Sequence, residues 1–357
     1  MKNNKVYTGY IFCLLLFFLL FPTVVLGDDF IGHREEDTVM VYDEQGNYVF
    51  ATAMGVSSGD RYINEDNIEF EVKSINGKRA IAQNKGKVDL FQGLNRTELT
   101  PLAAQGKKLI GIYFTHNDES YRPGPESIEG QGEIHGIGYQ LKNALEKMGI
   151  QVIVKDNLHL PHDGAAYERS RASATDLMKN RPDAIFDLHR DAIPQAHEYL
   201  AKINGQLVSQ VRLVVGRQNP NLSVNDNFAK QLKAVCDEKY PGLIKGIFYG
   251  SGSYNQQLST HSLLLEFGTH VTTEDQAASS ATMIADSINN LLYGDNISNQ
   301  EGRNIESKNA YKTIAWIVTI LFVGILAFLF INEGSWQGVV NRIKSFLGRE
   351  IIDRGEK

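Results

Sequence analysis

The sequence predicts an α/β protein: a three-layer domain around a largely parallel, twisted sheet, preceded by a small all-β domain and flanked by two apolar membrane segments. Three observations carry this. From Lys107 to Tyr293, short apolar runs alternate with amphipathic stretches of helical length, the pattern of a sheet covered by helices. From Asp28 to Leu94 only strand-length runs occur, punctuated by turn residues. Near each end of the chain lies an uncharged apolar block.

Residues 1–27 read as a signal sequence or an N-terminal membrane anchor. Lys2 and Lys5 precede the run "IFCLLLFFLLFPTVVLG", and Val25 and Gly27 are small enough to precede a cut before Asp28. Residues 28–94 read as the small all-β domain. "TVMVYDEQGNYVFATAM" is strand, turn and strand, and "IEFEVKSINGKRAIAQ" is a hairpin closed by Asn76-Gly77, a dipeptide that tolerates positive φ at both turn positions. This segment holds no cluster of His, Cys and acids, so a structural or binding role is expected of it. Residues 95–106 read as a linker.

Residues 107–293 read as the α/β domain. Its expected strands are "KLIGIYF", "IQVIVKD", "AIFDLH", "QVRLVVG" and "HSLLLEFG". Its expected helices are "IHGIGYQLKNALEKMG", stopped at Gly149; "AYERSRASATDLMKN", ended by Arg181-Pro182; "NDNFAKQLKAVCDEKYPG", with Asn225 as N-cap; and "TTEDQAASSATMIADSINNLLY". Residues 294–312 read as a polar stalk. Residues 313–332 include Ile314 to Ile331, uncharged throughout and long enough to cross a bilayer. Residues 333–357 carry more Lys and Arg than acids, which predicts a cytoplasmic tail and puts everything between the two apolar segments outside the membrane.

Composition excludes several classes. A net charge of -6 argues against a nucleic-acid surface, which is normally basic. Cys13 and Cys236 build neither a disulfide framework nor a cysteine zinc site. The chain has no phosphate-binding loop and no Ser-His-Asp arrangement.

In open α/β sheets, ligands gather at the carboxyl ends of strands. The first strand ends on His116 and Glu119. A central strand ends on Asp187, His189, Arg190 and Asp191, and a late one on Glu266 and His270. Catalytic zinc sites take three ligands from His, Glu and Asp and keep a position for water. His116, Glu119 and His189 supply that set, with Glu133, just before the first helix, as the rival carboxylate. Glu266 is placed as general base. Asp187 or Asp191 could orient an imidazole, and Arg190 could grip a substrate carboxylate or steady an oxyanion. A further polar group precedes the second helix: His159, His162, Asp163, Tyr167, Arg169 and Arg171. It reads equally as cleft wall or as a capped helix start.

At "FTHNDESY", "FDLHRDAIP", "YNQQLS" and "LLLEFGTH", in that order, the chain resembles the sporulation stage II protein P family. These are bacterial cell-wall hydrolases of the zinc-dependent N-acetylmuramoyl-L-alanine amidase group. The resemblance covers Lys107 to Tyr293. It implies Zn2+ held by His116 and His189, with Glu266 as acid/base. It implies cleavage of the amide between muramic acid and the first L-alanine of the peptidoglycan stem peptide, and an activity on cross-links. It also implies a lytic transglycosylase and an integral membrane protein as partners during engulfment. For the third ligand, zinc amidases more broadly draw a Glu from the start of the first helix, here Glu133. The His-x-x-Glu plus distant His spacing is similar to zinc carboxypeptidases and favours Glu119. The β domain and the second membrane segment depart from the family, so a vegetative wall hydrolase on this scaffold fits as well. A zinc carboxypeptidase or endopeptidase of wall peptides, and a non-catalytic wall-binding scaffold, are the alternatives. All three readings put the protein at a bacterial cell membrane with its main domain outside.

Overall fold

The computed structural model describes residues 38–90 and 106–294, with residues 319, 329, 331–332 and 334–342 beyond them. The expected N-terminal segment 1–27, nearly all of the linker, and most of the stalk, the 313–332 segment and the tail lie outside the described residues. Among the described residues no helix is long and apolar enough to cross a membrane. The chain divides into two units, Met1–Gly294 and Asp295–Lys357. In the second, residues 336–342 are helical.

Among its described residues the first unit has thirteen strands and four α-helices. Among the described residues five strands come first: β1 (Val39–Asp43), β2 (Tyr48–Thr52), β3 (Arg61–Ile63), β4 (Ile68–Asn76) and β5 (Arg79–Lys87). There follow β6 (Leu109–Tyr113), α1 (Ile134–Lys147), β7 (Gln151–Lys155), α2 (Ala166–Met178) and β8 (Ala184–Asp191). A hairpin of β9 (Leu200–Ile203) and β10 (Gln206–Ser209) leads to β11 (Val211–Gly216), α3 (Leu222–Lys239), β12 (Ile244–Gly250), β13 (Ser262–Thr269) and α4 (Glu274–Tyr293).

Eleven strands form one sheet in the order β2-β1-β5-β4-β3-β12-β11-β13-β8-β6-β7. This changes the expected picture in two ways. The N-terminal strands do not close a sheet of their own, because β3 pairs with β12 and extends the α/β sheet. Within the α/β part the sheet is mostly parallel, as expected, but the joined sheet as a whole is mixed. β7, β6, β8 and β13 run parallel, but β11 reverses against β13, and β12 reverses against β3.

Alternation along the strands sorts their side chains. Ile110, Ile112, Phe186, Leu188, Leu213, Leu263 and Leu265 face α1, α3 and α4. Tyr113 and Ile185 face α2 through Ala174 and Leu177. Helices thus cover both faces, which makes the expected three layers. The glycine stop of α1 is realised, with Gly149 at φ +79°. Asn225, expected to cap α3, lies inside it. The cap position is Asn221, and the buried Asn225 amide instead donates to Gln256 O and accepts from Ser262 N–H.

β12 escapes sequence reading because Lys245 and two glycines interrupt its apolar run. One of these glycines is required by packing. A Cβ on Gly246 would stand 2.5 Å from the Tyr62 ring and 2.6 Å from Ile63 O, while Tyr62 OH donates to Lys245 O at 2.8 Å. Gly246→Ala is therefore expected to cost about 1–3 kcal/mol of stability by overpacking. Denaturant unfolding checks this; an unchanged midpoint would mean that the β3–β12 junction yields without cost.

Candidate metal centre

His116 follows the end of β6, and the turn that carries it is tied to β8. Asp187 accepts from Thr115 N–H at 2.9 Å and from Thr115 Oγ1–H at 2.6 Å. Glu119 lies one turn further on, and its Oε2 accepts the Arg190 backbone N–H at 2.8 Å. His189 projects from β8. These constraints bring three donors together: Glu119 Oε1 stands 3.4 Å from His116 Nδ1 and 3.5 Å from His189 Nδ1. All three side chains are fully buried, and their ligand atoms lie within 4.8 Å of one another.

Two donors each ~2.0–2.1 Å from a tetrahedral zinc stand roughly 3.3 Å apart, so the set has the spacing that the ion needs. Buried Glu119 Oε1 is faced by the two imidazole Nδ1 atoms, both beyond ordinary hydrogen-bond length, a setting in which a carboxylate favours a cation between the three. His189 Nε2 lies 3.1 Å from Asp187 Oδ1, the outer carboxylate that orients a ligating imidazole. The residues present fit zinc.

The electrostatics point the same way. Burial alone would lower the pKa of His189, but Asp187 and Glu119 outweigh it and push the imidazole up to about 10. Glu119 is held well below the carboxylate range: burial opposes this, and His189, His116 and Arg190 overcome it. Burial and the neighbouring His162 push His116 down to about 4, which keeps it a neutral ligand. Metal uptake at such a site releases the His189 proton.

Glu266 is the register partner of His189 on β13, and Arg212 is the register partner of Glu266 on β11. The three form one row across the sheet. Glu266 Oε2 accepts from Arg212 Nε and from Tyr199 OH. Arg212 also donates to Asp191 Oδ2 at 2.6 Å, Thr52 Oγ1 at 2.8 Å and Ala51 O at 3.0 Å. The Ala53 N–H donates to Asp191 Oδ1 at 3.0 Å. The residues that end and follow β2 thus close over the carboxylate network. Burial raises the pKa of Glu266 to about 7, Arg212 opposing and Asp191 adding to the rise.

One expectation changes, and the rival ligand is set aside. Arg190, proposed for substrate or oxyanion, does not face the donor set. It alternates with His189 and Asp191 along β8, and its buried guanidinium donates to Glu126 O, Ser120 O and Asp191 O at 2.9, 3.3 and 3.4 Å. It fastens the loop after Glu119; its charge is felt by Glu119, while its hydrogen bond to the donor set comes from the backbone N–H. Glu133 stays outside the cluster, because its Oε2 accepts Tyr121 N–H at 2.7 Å. His270 is also outside it. His159 bridges Phe114 O and Ser173 Oγ. His162 and Tyr167 do reach the centre. His162 stacks on His116 with centroids 3.9 Å apart and pairs with Asp118 at 2.7 Å.

Sequence reasoning missed Arg212, Tyr199 and Thr52. A signal existed for Arg212: an arginine within "QVRLVVG", an otherwise apolar buried strand, has to be paired. Nothing local marks Thr52.

The third ligand can be checked directly. Glu119→Ala is expected to lose bound zinc. Glu133→Ala is expected to retain it and to lose about 1.5–3 kcal/mol of stability with its charge-assisted hydrogen bond. Elemental analysis and denaturant melts of both variants decide; the reverse pattern of zinc loss would reassign the ligand.

The fold and this site define a mixed-sheet α/β protein with a buried His–Glu–His donor set at its strand ends and a carboxylate one strand away. The profile of the stage II sporulation protein P (SpoIIP) family matches residues 39–289, and the chain belongs to that family. The match takes in β1–β5, so these strands belong to the family region; this corrects the departure read from the sequence. Stage II sporulation protein P of Bacillus subtilis (strain 168) is 32% identical over 183 residues, covering 45% of this chain and 45% of that protein. The chain thus aligns with less than half the length of that relative. Among solved structures, the N-acetylmuramyl-L-alanine amidase Ami1 of Mycobacterium smegmatis is similar at 18% identity and a TM-score of 0.36, over 55% of this chain and all of that one. The CwlD amidase of Clostridioides difficile, solved with the GerS lipoprotein, is similar at 15% identity and a TM-score of 0.34, over 53% of this chain and all of that one. Both likenesses are weak, and the chemistry below rests on this chain's own side chains.

Proposed function

We propose that this protein is a membrane-anchored, extracytoplasmic zinc hydrolase of peptidoglycan that acts in sporulation. It cleaves the amide between N-acetylmuramic acid and the L-alanine of the stem peptide. The observation that carries this reading is the convergence of His116, Glu119 and His189, with Glu266 in the same row of the sheet. Family membership supports the wall and sporulation assignment. The apolar runs in residues 1–27 and 313–332 support the tether. A lytic transglycosylase and an integral membrane protein are the partners this role implies.

Bound zinc supplies a Lewis acid that polarises a carbonyl and lowers the pKa of water. His116, Glu119 and His189 would hold it. Asp187 and the Arg190 amide keep two of these ligands oriented. Glu266 takes a proton from the attacking water and returns it to the leaving nitrogen. Arg212 and Tyr199 grip Oε2, so Oε1 is the oxygen that carries that proton.

A second reading has one observation in its favour. Glu119, not Glu133, joins the donor set, a spacing similar to the His-x-x-Glu plus distant His of zinc carboxypeptidases. Digestion of isolated wall by the purified full chain separates the two. Free stem peptides support the amidase, and shortened peptides still on glycan support the peptidase. Undiminished digestion after chelation, or binding with no fragments released, would sink both.

A further inference from the structure

Tyr167 opens no part of the mechanism above, yet it stands at the metal centre. It lies in the first turn of α2. Its ring meets the His116 ring edge-on, with centroids 5.4 Å apart, and lies near-parallel to the His189 ring at 6.1 Å. Tyr167 is 3% exposed, and its hydroxyl is buried with no hydrogen-bond partner. The carboxylates of Asp187, Glu119 and Glu266 all act on that hydroxyl.

A buried phenol without a partner is costly, because its O–H has left water for nothing in return. Such groups cluster where a ligand will supply the missing partner. The surroundings hold this one firmly. Asn255 Nδ2 donates to Tyr167 O at 2.9 Å and to Ser170 Oγ at 3.0 Å. The Tyr254 ring packs on the Tyr167 ring with centroids 5.3 Å apart. Tyr254 and Asn255 do this from left-handed backbone, at φ +49° and +55°. Two consecutive non-glycine residues in that region store strain, and such strain concentrates at functional sites. Part of the "YNQQLS" motif thereby finds a use: it fixes the tyrosine.

We propose that Tyr167 is a catalytic residue. Its hydroxyl donates a hydrogen bond to the carbonyl oxygen of the scissile amide as that oxygen gains negative charge. This takes over the task the sequence had suggested for Arg190, and it rests on the hydrolase reading above. A phenol keeps its proton at neutral pH, since its ordinary pKa is ~10, so the donor is always armed. It gives most when the oxygen is most charged, which is the condition for lowering a barrier rather than merely tightening binding.

The test is Tyr167→Phe, which keeps the ring and its packing and removes only the oxygen. Three measurements on the full chain are needed: wall digestion, thermal unfolding with zinc content, and affinity for a muramyl-peptide phosphinate whose tetrahedral centre replaces the scissile amide. The variant is expected to lose about 10²–10³-fold in kcat with KM nearly unchanged. It should bind the phosphinate about 10²-fold more weakly. Its zinc content should be unchanged and its Tm equal to or above that of the wild type. A lower Tm or lost zinc would make the hydroxyl structural and overturn the proposal. So would an active wild type whose variant digests wall equally fast, and there the hydrolase reading survives. A wild type that neither digests wall nor binds the phosphinate removes the hydrolase reading and this inference with it.

Discussion

Glu266→Gln is expected to leave the fold and the zinc content intact and to reduce turnover by about 10²–10⁴-fold, the range for loss of a general base. The structure explains why the two properties separate. Glu266 does not belong to the donor set of His116, Glu119 and His189, so metal affinity does not depend on it. Its Oε2 accepts from Arg212 and Tyr199, and a glutamine oxygen can accept both bonds. The amide NH2 then stands where Oε1 stood and can take no proton from water. The cost in stability is small but real, because Arg212 exchanges a charged partner for a neutral one while Asp191 remains. Metal analysis, wall digestion and a denaturant melt on one preparation settle the matter. Turnover at wild-type rate would transfer the proton to another acid, and Asp187 is the nearest in kind. Lost zinc would place Glu266 among the ligands.

The donor set was legible because it follows a general rule. Ligand-binding residues sit where strands of an α/β sheet end, and His116, Glu119, His189 and Glu266 all sit there. Arg190 was misread because the motif was read as a string, without the two-residue alternation of a strand. With His189 facing the donors, its neighbour faces away. The direction of β11 and β12, and so the mixed sheet, depends on how loops cross, which no short stretch encodes. The contact of Thr52 and Ala53 with Arg212 and Asp191 joins residues more than a hundred positions apart. The β segment looked self-contained because its own residues carry no chemistry. Its contribution is a carbonyl, a hydroxyl and an amide supplied to side chains on other strands. Two backbone groups and one threonine hydroxyl leave no mark in composition.

Arg212→Met should therefore damage the protein more than any single ligand substitution does. The guanidinium is fully buried and serves Glu266, Asp191, Thr52 and Ala51 at once. Methionine fills much of the volume but leaves two buried carboxylates facing each other without a cation. Removing one partner of a buried ion pair costs about 3–5 kcal/mol, and a domain holds only about 5–15 kcal/mol in all. Arg212→Lys is expected to rescue only part of this, since one ammonium cannot reproduce a planar fork with several fixed donors. The decisive comparison adds Asp191→Asn and Glu266→Gln to Arg212→Met. If repulsion between bare carboxylates is the main loss, the triple variant regains stability in urea while remaining inactive. If it stays as unstable as Arg212→Met alone, the loss lies in the bonds to Ala51 and Thr52, and Arg212 acts chiefly as the bolt between the N-terminal strands and the rest of the sheet.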